Sequence, residues 1–135
     1  ASAAAEFARV LRPSGRVGIT DVTISPGGLP AELTTLAAWV ACIADARPLD
    51  DYAALLADAG LRAVHTEPHD EALATMIDQI DARVRLLRMT AGDRLATAGV
   101  DVDAVLHYCA AAKQAVSDGV LGYALLVAVK PMGSP

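Results

Sequence analysis

Few side chains in this 135-residue sequence have types and spacing suited to chemistry. There are two thiols, Cys42 and Cys109. Cys42 falls near the carboxyl end of a helical stripe, with Trp39 three residues before it. A thiolate is both nucleophile and soft ligand, but a helix carboxyl end does nothing to lower a thiol pKa. The ordinary reading of Cys42 is a small buried hydrophobe. Trp39 is placed to line a substrate pocket or to fill a core. Asp21 interrupts a strand near its carboxyl end, where the active sites of α/β proteins gather. It either orients a ligand there or accepts nearby backbone N–H groups. His107 and Cys109 point in different directions on a helix, so they make no Cys–His pair. His65 and His69 straddle Pro68 at a strand end, unlike two histidines four apart on a helix, and do not converge on one ion. Arg83, Arg85 and Arg88 read as a solvated face balanced by Asp78 and Asp81. No Ser–His–Asp set and no paired-carboxylate motif stands out.

Composition narrows the classes. A chain of 135 residues that is 54% hydrophobic has material for one modest core. Its aromatic content is only 4%, so alanine and leucine carry the apolar mass, which favours helices. The net charge of −5, with no long basic run, argues against a nucleic-acid surface. No stretch approaches the ~20 apolar residues of a membrane helix, and no signal-peptide pattern appears. Two cysteines do not make a disulfide framework, so a reducing cytoplasm is the expected location.

The elements that must position these residues can be read along the chain. Ala3, Phe7, Val10 and Leu11 share one helix face, and Pro13-Ser14-Gly15 stops that helix with a turn. Arg16 to Ile24 is a β-rich strand whose apolar residues do not alternate cleanly, as expected when both faces are covered. Pro30 suits a first helical position, and Leu33, Leu36, Val40 and Ile43 extend a stripe to about Ala46. A helix from about Asp50 carries Tyr52, Leu55, Leu56 and Ala59 and ends at Gly60. Leu61 to Glu67 is a short strand. The longest helix runs from Asp70 to about Met89, with a break at Ala91-Gly92-Asp93 and a short turn at Arg94 to Thr97. Asp101 caps the next helix, which ends at Gly119. Leu121 to Val129, "LGYALLVAV", is an apolar run suited to a central strand. Three strands are few for about six helices, and the first strand follows a helix. This local reading suggests the carboxyl half of an α/β domain.

Two stretches carry a resemblance. "EFARVLRPSGRVGITDV" resembles the late helix-and-strand segment of class I S-adenosylmethionine-dependent methyltransferases, where a helix runs into "LRPGG" and then a strand. Here Ser14 replaces the first glycine. "LPAELTTLAAWVACIADARPLDDYAALLADAGLRAVHTEP" resembles the arsenite methyltransferase branch, with Cys42-Ile43-Ala44-Asp45-Ala46 in place of its "CI-x-GA" and Asp where that branch has Gly. The resemblance covers about Ala3 to Pro68, with a weaker echo at "GYALLVAVKP".

The resemblance implies a fold and a role. The fold is the carboxyl half of a Rossmann-like methyltransferase, with strands 16–24, 61–67 and 121–129, the last central and antiparallel. Residues 1–135 would be one partial domain, the substrate-side half, with a helical insertion at about 70–119. By the same resemblance Cys42 holds trivalent arsenic as the catalytic thiol; by their positions and types, Trp39, Asp21 and Cys109 are candidates for contact with a small-molecule substrate. S-adenosylmethionine would be the cofactor of a complete protein. This sequence carries no G-x-G-x-x-G, so the chain alone is expected to bind it poorly, and no metal site is expected. The outer side of strand 16–24 should face a strand that is not here, leaving unpaired backbone groups. A second copy of the chain, or a separate amino-terminal segment, is the expected partner along that edge. A non-catalytic ligand- or metalloid-binding module and a dimerising fragment are the competing roles.

Overall fold

A computed structural model describes residues 2–37, 43 and 45–132. Five helices and three strands appear among them: α1 (Ala3–Val10), β1 (Arg16–Ile24), α2 (Ala31–Ala37), α3 (Leu49–Asp58), β2 (Arg62–Pro68), α4 (Asp70–Thr97), α5 (Val102–Ser117) and β3 (Leu121–Val129). The sheet order is β1-β3-β2, and β3 is antiparallel to both neighbours. The last strand thus inserts between the two before it, as the resemblance implies.

Each helix begins and ends for local reasons. The Ser2 hydroxyl accepts from the Ala5 N–H at 3.3 Å and caps α1. The apolar side of α1 is Ala4, Phe7, Ala8 and Leu11, whereas Val10, read as part of that stripe, is 64% exposed. The turn after α1 places Ser14 at φ 63°. That left-handed backbone is the one glycine tolerates best, which accounts for the glycine in the pattern Ser14 departs from. Gly60, at φ 81°, closes α3, with the Leu61 N–H reaching back to the Leu56 carbonyl at 2.9 Å. The break read at Ala91-Gly92-Asp93 is a kink within α4: Ala91 alone leaves the helical region, at φ −146° and ψ 24°. The span Asp70–Thr97 is thus two helical segments meeting at that kink, where the break was expected. Asp101 caps α5 by accepting from the Ala104 N–H at 3.0 Å.

The two faces of the sheet pack differently. Side chains alternate along a strand, so Val17, Ile19, Leu126 and Ala128 share one face and pack with Phe7, Leu11 and Leu56 under α1 and α3. On the other face Val22, Ile24 and Leu121 meet Leu33, Leu73, Ile77, Cys109 and Ala112 of α2, α4 and α5. Further along that face, Leu125, Val127 and Val129 are only half-buried. The α4–α5 hairpin is fastened by ion pairs between Arg88 and Asp103 at 2.7 Å and between Lys113 and Asp78 at 2.5 Å. Arg85 pairs with Asp81 within α4.

The chain closes on itself at Lys130. Its ammonium donates to the Ala8 and Leu11 carbonyls at 2.6 and 2.9 Å, so the residue after the central strand caps the carboxyl end of α1. Replacing Lys130 with Met should cost about 0.5–2 kcal/mol, the upper part of the range for a partly buried charge at a helix carboxyl end. Ser14→Gly should raise stability by up to about 1 kcal/mol, because glycine occupies the left-handed turn without a Cβ clash. Urea denaturation of both variants checks these signs.

Candidate functional site

The carboxyl ends of β1 and β2 converge with the amino ends of β3 and α4. A cavity of about 170 Å³ lies there, walled by Thr23, Ser25, Leu49, Pro68, Asp70 and Gly122 among others. Asp70 builds its floor. Its carboxylate accepts from the Tyr123 N–H at 2.9 Å, while the His69 N–H donates to the Tyr123 carbonyl at 2.7 Å. A side chain thereby continues the β2–β3 ladder past Pro68, in place of the His69 carbonyl, which accepts from the Ala72 and Leu73 N–H groups instead. Gly122 makes room for this. A Cβ there would stand 2.7 Å from Asp70 Oδ1 and 2.9 Å from Thr23 Oγ1, and would force the carboxylate off its donor.

Asp21 sits beside this cavity, exposed, on the face of β1 that packs on α1 and α3. Its carboxylate accepts from the Val22 N–H at 2.8 Å. The Tyr52 hydroxyl, reaching over from α3, donates to the Val22 carbonyl at 3.1 Å. Burial raises the Tyr52 pKa, and the Asp21 carboxylate beside it raises it further, against a smaller opposing effect of Arg47. Tyr52 is therefore a neutral donor at physiological pH. Arg47 completes the group, its carbonyl accepting from the Ile24 N–H at 3.2 Å in an isolated parallel bridge.

Cys109 lies elsewhere. It is 6% exposed, in the core between α4, α5 and the opposite face of the sheet. Burial pushes its thiol pKa up, and Asp81 adds to this more than Arg85 offsets it. The sheet separates Cys109 from Asp21, so the structure does not bring these two candidates together. Trp39 and Cys42 lie outside the described residues. The neighbouring Tyr108 hydroxyl is buried and has no hydrogen-bond partner among the described residues, and burial raises its pKa. His65 and His69 both reach the Glu67 carboxylate, at 3.3 and 3.2 Å, on exposed ground. No group of three metal-ligating side chains is placed to hold an ion among the described residues.

Asp70, Tyr52 and Thr23 did not stand out in the sequence as site residues. Asp70 reads there as the start of a helix and Tyr52 as one residue of a stripe, and only the sheet register joins them to β3 and β1. The one available signal was Pro68 at a strand end with an acid two residues on.

Comparison with known proteins places this geometry. No family model matches the chain. Over 52% of its length it is 38% identical to an arsenite methyltransferase of Halobacterium salinarum, of which it spans 18%. The structure matches a putative sarcosine dimethylglycine methyltransferase from Galdieria sulphuraria with a TM-score of 0.70 at 19% identity, covering 95% of this chain and 46% of that one. It matches phosphoethanolamine N-methyltransferase 2 of Haemonchus contortus, solved with S-adenosylhomocysteine, with a TM-score of 0.71 at 16% identity, covering 96% and 29%. The fold is that of the carboxyl-terminal part of a class I S-adenosylmethionine-dependent methyltransferase. The chain spans less than half the length of each of these relatives.

The cavity at the strand ends is smaller than a site for the cofactor of that fold. Pockets for such ligands measure about 300–1,000 Å³, and the cavity at the strand ends is about 170 Å³. The adjoining hollow at Pro68–Ala72 is larger, about 430 Å³, but a single five-residue segment lines it, with no opposing wall. No glycine-rich turn is present to cradle a nucleoside.

The raised pKa values fix a pH dependence. Cys109, Tyr52 and Tyr108 are all shifted above their ordinary values of 9.0 and 10.0. The folded chain then holds protons that the unfolded chain releases. The stability this contributes is fully present below the unfolded values and is lost as pH rises through the folded ones. The urea midpoint should fall between about pH 8 and about pH 11, and Tyr52→Phe should flatten that fall. At neutral pH, Cys109 should react with iodoacetamide at least ~10-fold more slowly in the folded chain than in urea.

Proposed function

We propose that this chain is the substrate-side, carboxyl-terminal portion of a small-molecule S-adenosylmethionine-dependent methyltransferase. Residues 1–135 form one partial domain in this reading, and the hairpin within 70–119 is a helical insertion that shapes the acceptor side. The observation that carries the reading is the strand order: an antiparallel β3 between β1 and β2, with the polar cluster of Asp21, Tyr52 and Asp70 at the strand ends where this architecture binds ligands. Methyl transfer in a complete protein draws mainly on proximity and orientation, and this portion supplies a wall of the acceptor pocket. The cofactor is gripped by residues outside this sequence, so the chain alone is inactive and binds S-adenosylmethionine weakly. Its location is the cytoplasm; no described helix is long and apolar enough to cross a membrane, and no nucleic-acid partner is implied by its charge.

The acceptor class is a trivalent arsenical. The 38% identity to an arsenite methyltransferase supports it, as does the "ACIADA" segment, in which Cys42 is the catalytic thiol with Trp39 three residues before it in sequence. Soft thiolates suit a soft metalloid. Asp21 remains a substrate-side candidate at the open strand ends. Cys109, buried in the core, is the second thiol a metalloid could draw on. A ligand- or metalloid-binding module without methyl transfer is the second reading, resting on the two thiols, Cys42 and Cys109.

Labelled S-adenosylmethionine should show no saturable binding to the pure chain at ~1 mM, the upper end of ordinary enzyme KM values. Tight binding by the chain alone would sink the partial-domain reading. Arsenite titrated into the chain should bind at least ~10-fold more weakly after Cys42→Ser and almost unchanged after Cys109→Ser. Equal binding by all three proteins would remove arsenite as the acceptor.

A further inference from the structure

Among the described residues, one buried side-chain polar atom lacks a hydrogen-bond partner: the hydroxyl of Tyr108, on α5. Such a group is rare in native chains, because it has left water and gained nothing in return. Tyr108 packs against the core cluster that holds Leu33 of α2, Leu73 and Ile77 of α4, and Cys109 of α5. Ile43 packs against the same cluster, and Ile43 directly follows Cys42 in the sequence. Both thiols of the chain are therefore tethered to the core that buries this hydroxyl, Cys109 as its neighbour on α5 and Cys42 through Ile43. Burial raises the Tyr108 pKa, and the Cys109 thiol group beside it raises it further. The hydroxyl thus keeps its proton at neutral pH and is a hydrogen-bond donor without an acceptor.

We infer that Tyr108 is a binding residue for the trivalent arsenical, donating its hydroxyl hydrogen to an As–OH oxygen. This deepens the acceptor reading given above and rests on it. A Cys42 thiol that condenses with arsenous acid forms one S–As bond and releases one water, so two hydroxyls stay on arsenic. A second condensation, with Cys109, releases another water and leaves one hydroxyl. Either adduct has a hydroxyl oxygen for Tyr108. A dimethylated trivalent arsenical has none after its single condensation, since two As–CH3 groups hold the remaining positions. The donor is thus answered by the unmethylated acceptor and orphaned again by the dimethylated one. A site that hydrogen-bonds a hydroxyl discriminates against the analogue without it far better than an apolar pocket does. Tyr108 therefore holds the acceptor before methyl transfer and does not hold the dimethylated form.

Tyr108→Phe tests this, because it removes the hydroxyl and keeps the ring. The hydroxyl has no partner in the free chain, so the urea midpoint of the variant without ligand should stay level or rise. Calorimetric titration of the 135-residue chain reads the affinities. Arsenite should bind the variant about 10-fold more weakly than the wild type, and dimethylarsinous acid should bind both equally. Equal arsenite affinity of wild type and variant overturns the inference and leaves the arsenical reading standing. A parallel loss for both arsenicals, or a fall in the urea midpoint, also overturns it, because the hydroxyl would then serve the fold and not the ligand. Absence of arsenite binding by the wild type overturns the arsenical reading itself, and the inference with it.

Discussion

Everything in this fold leans on β3, the last strand. It hydrogen-bonds on both sides, to β1 through its even residues and to β2 through its odd ones. Its even side chains are buried to the last one. A strand in that position joins two elements that are far apart in sequence and have no contact ladder of their own. It also carries Lys130 back to the first helix, so the end of the chain fastens its beginning. Loss of β3 would leave two isolated strands, neither stable alone in water.

That central position has a consequence for the site. Because β3 runs opposite to β1 and β2, its amino end meets their carboxyl ends, and there the ladder runs out of backbone partners. Three side chains take over. Asp70 stands in for a carbonyl beside Pro68, Asp21 takes the Val22 N–H, and Tyr52 takes the Val22 C=O. These polar groups are thus structural first: they finish the sheet where a strand cannot. Of the three, Asp70 also lines a small, mainly apolar cavity, with Gly122 leaving room for its carboxylate. A ligand placed there would meet groups already oriented, which is what preorganised sites require.

The strands were legible because their causes are local. Val17, Ile19, Val22 and Ile24, and the run from Leu121 to Val129, could be nothing else in a chain so rich in alanine and leucine. Gly60 and Asp101 announced a helix end and a helix start by their chemistry alone. The misreadings are equally physical. Val10 fits a stripe by spacing, but α1 is rolled so that Ala4 and Ala8 face inward instead. The two-sided burial read for β3 is complete on one face and partial on the other, because α2, α4 and α5 cover only the Leu121 end.

The site was less legible, since its members are joined by register and not by spacing. Asp70 lies 53 residues from the amide it serves, and Tyr52 lies 30 from its carbonyl; no short motif spans such distances. The thiols show the converse limit. Cys42 and Cys109 are the residues a metalloid would choose by chemistry alone, but chemistry requires a thiolate, and a thiolate requires positive surroundings or water. Cys109 has neither: apolar neighbours bury it and the nearest carboxylate opposes its ionisation. Residue type proposes a ligand, and burial decides whether it is one. By that test the buried thiol of α5 is a core residue, and the oriented polar groups lie at the other face and end of the sheet.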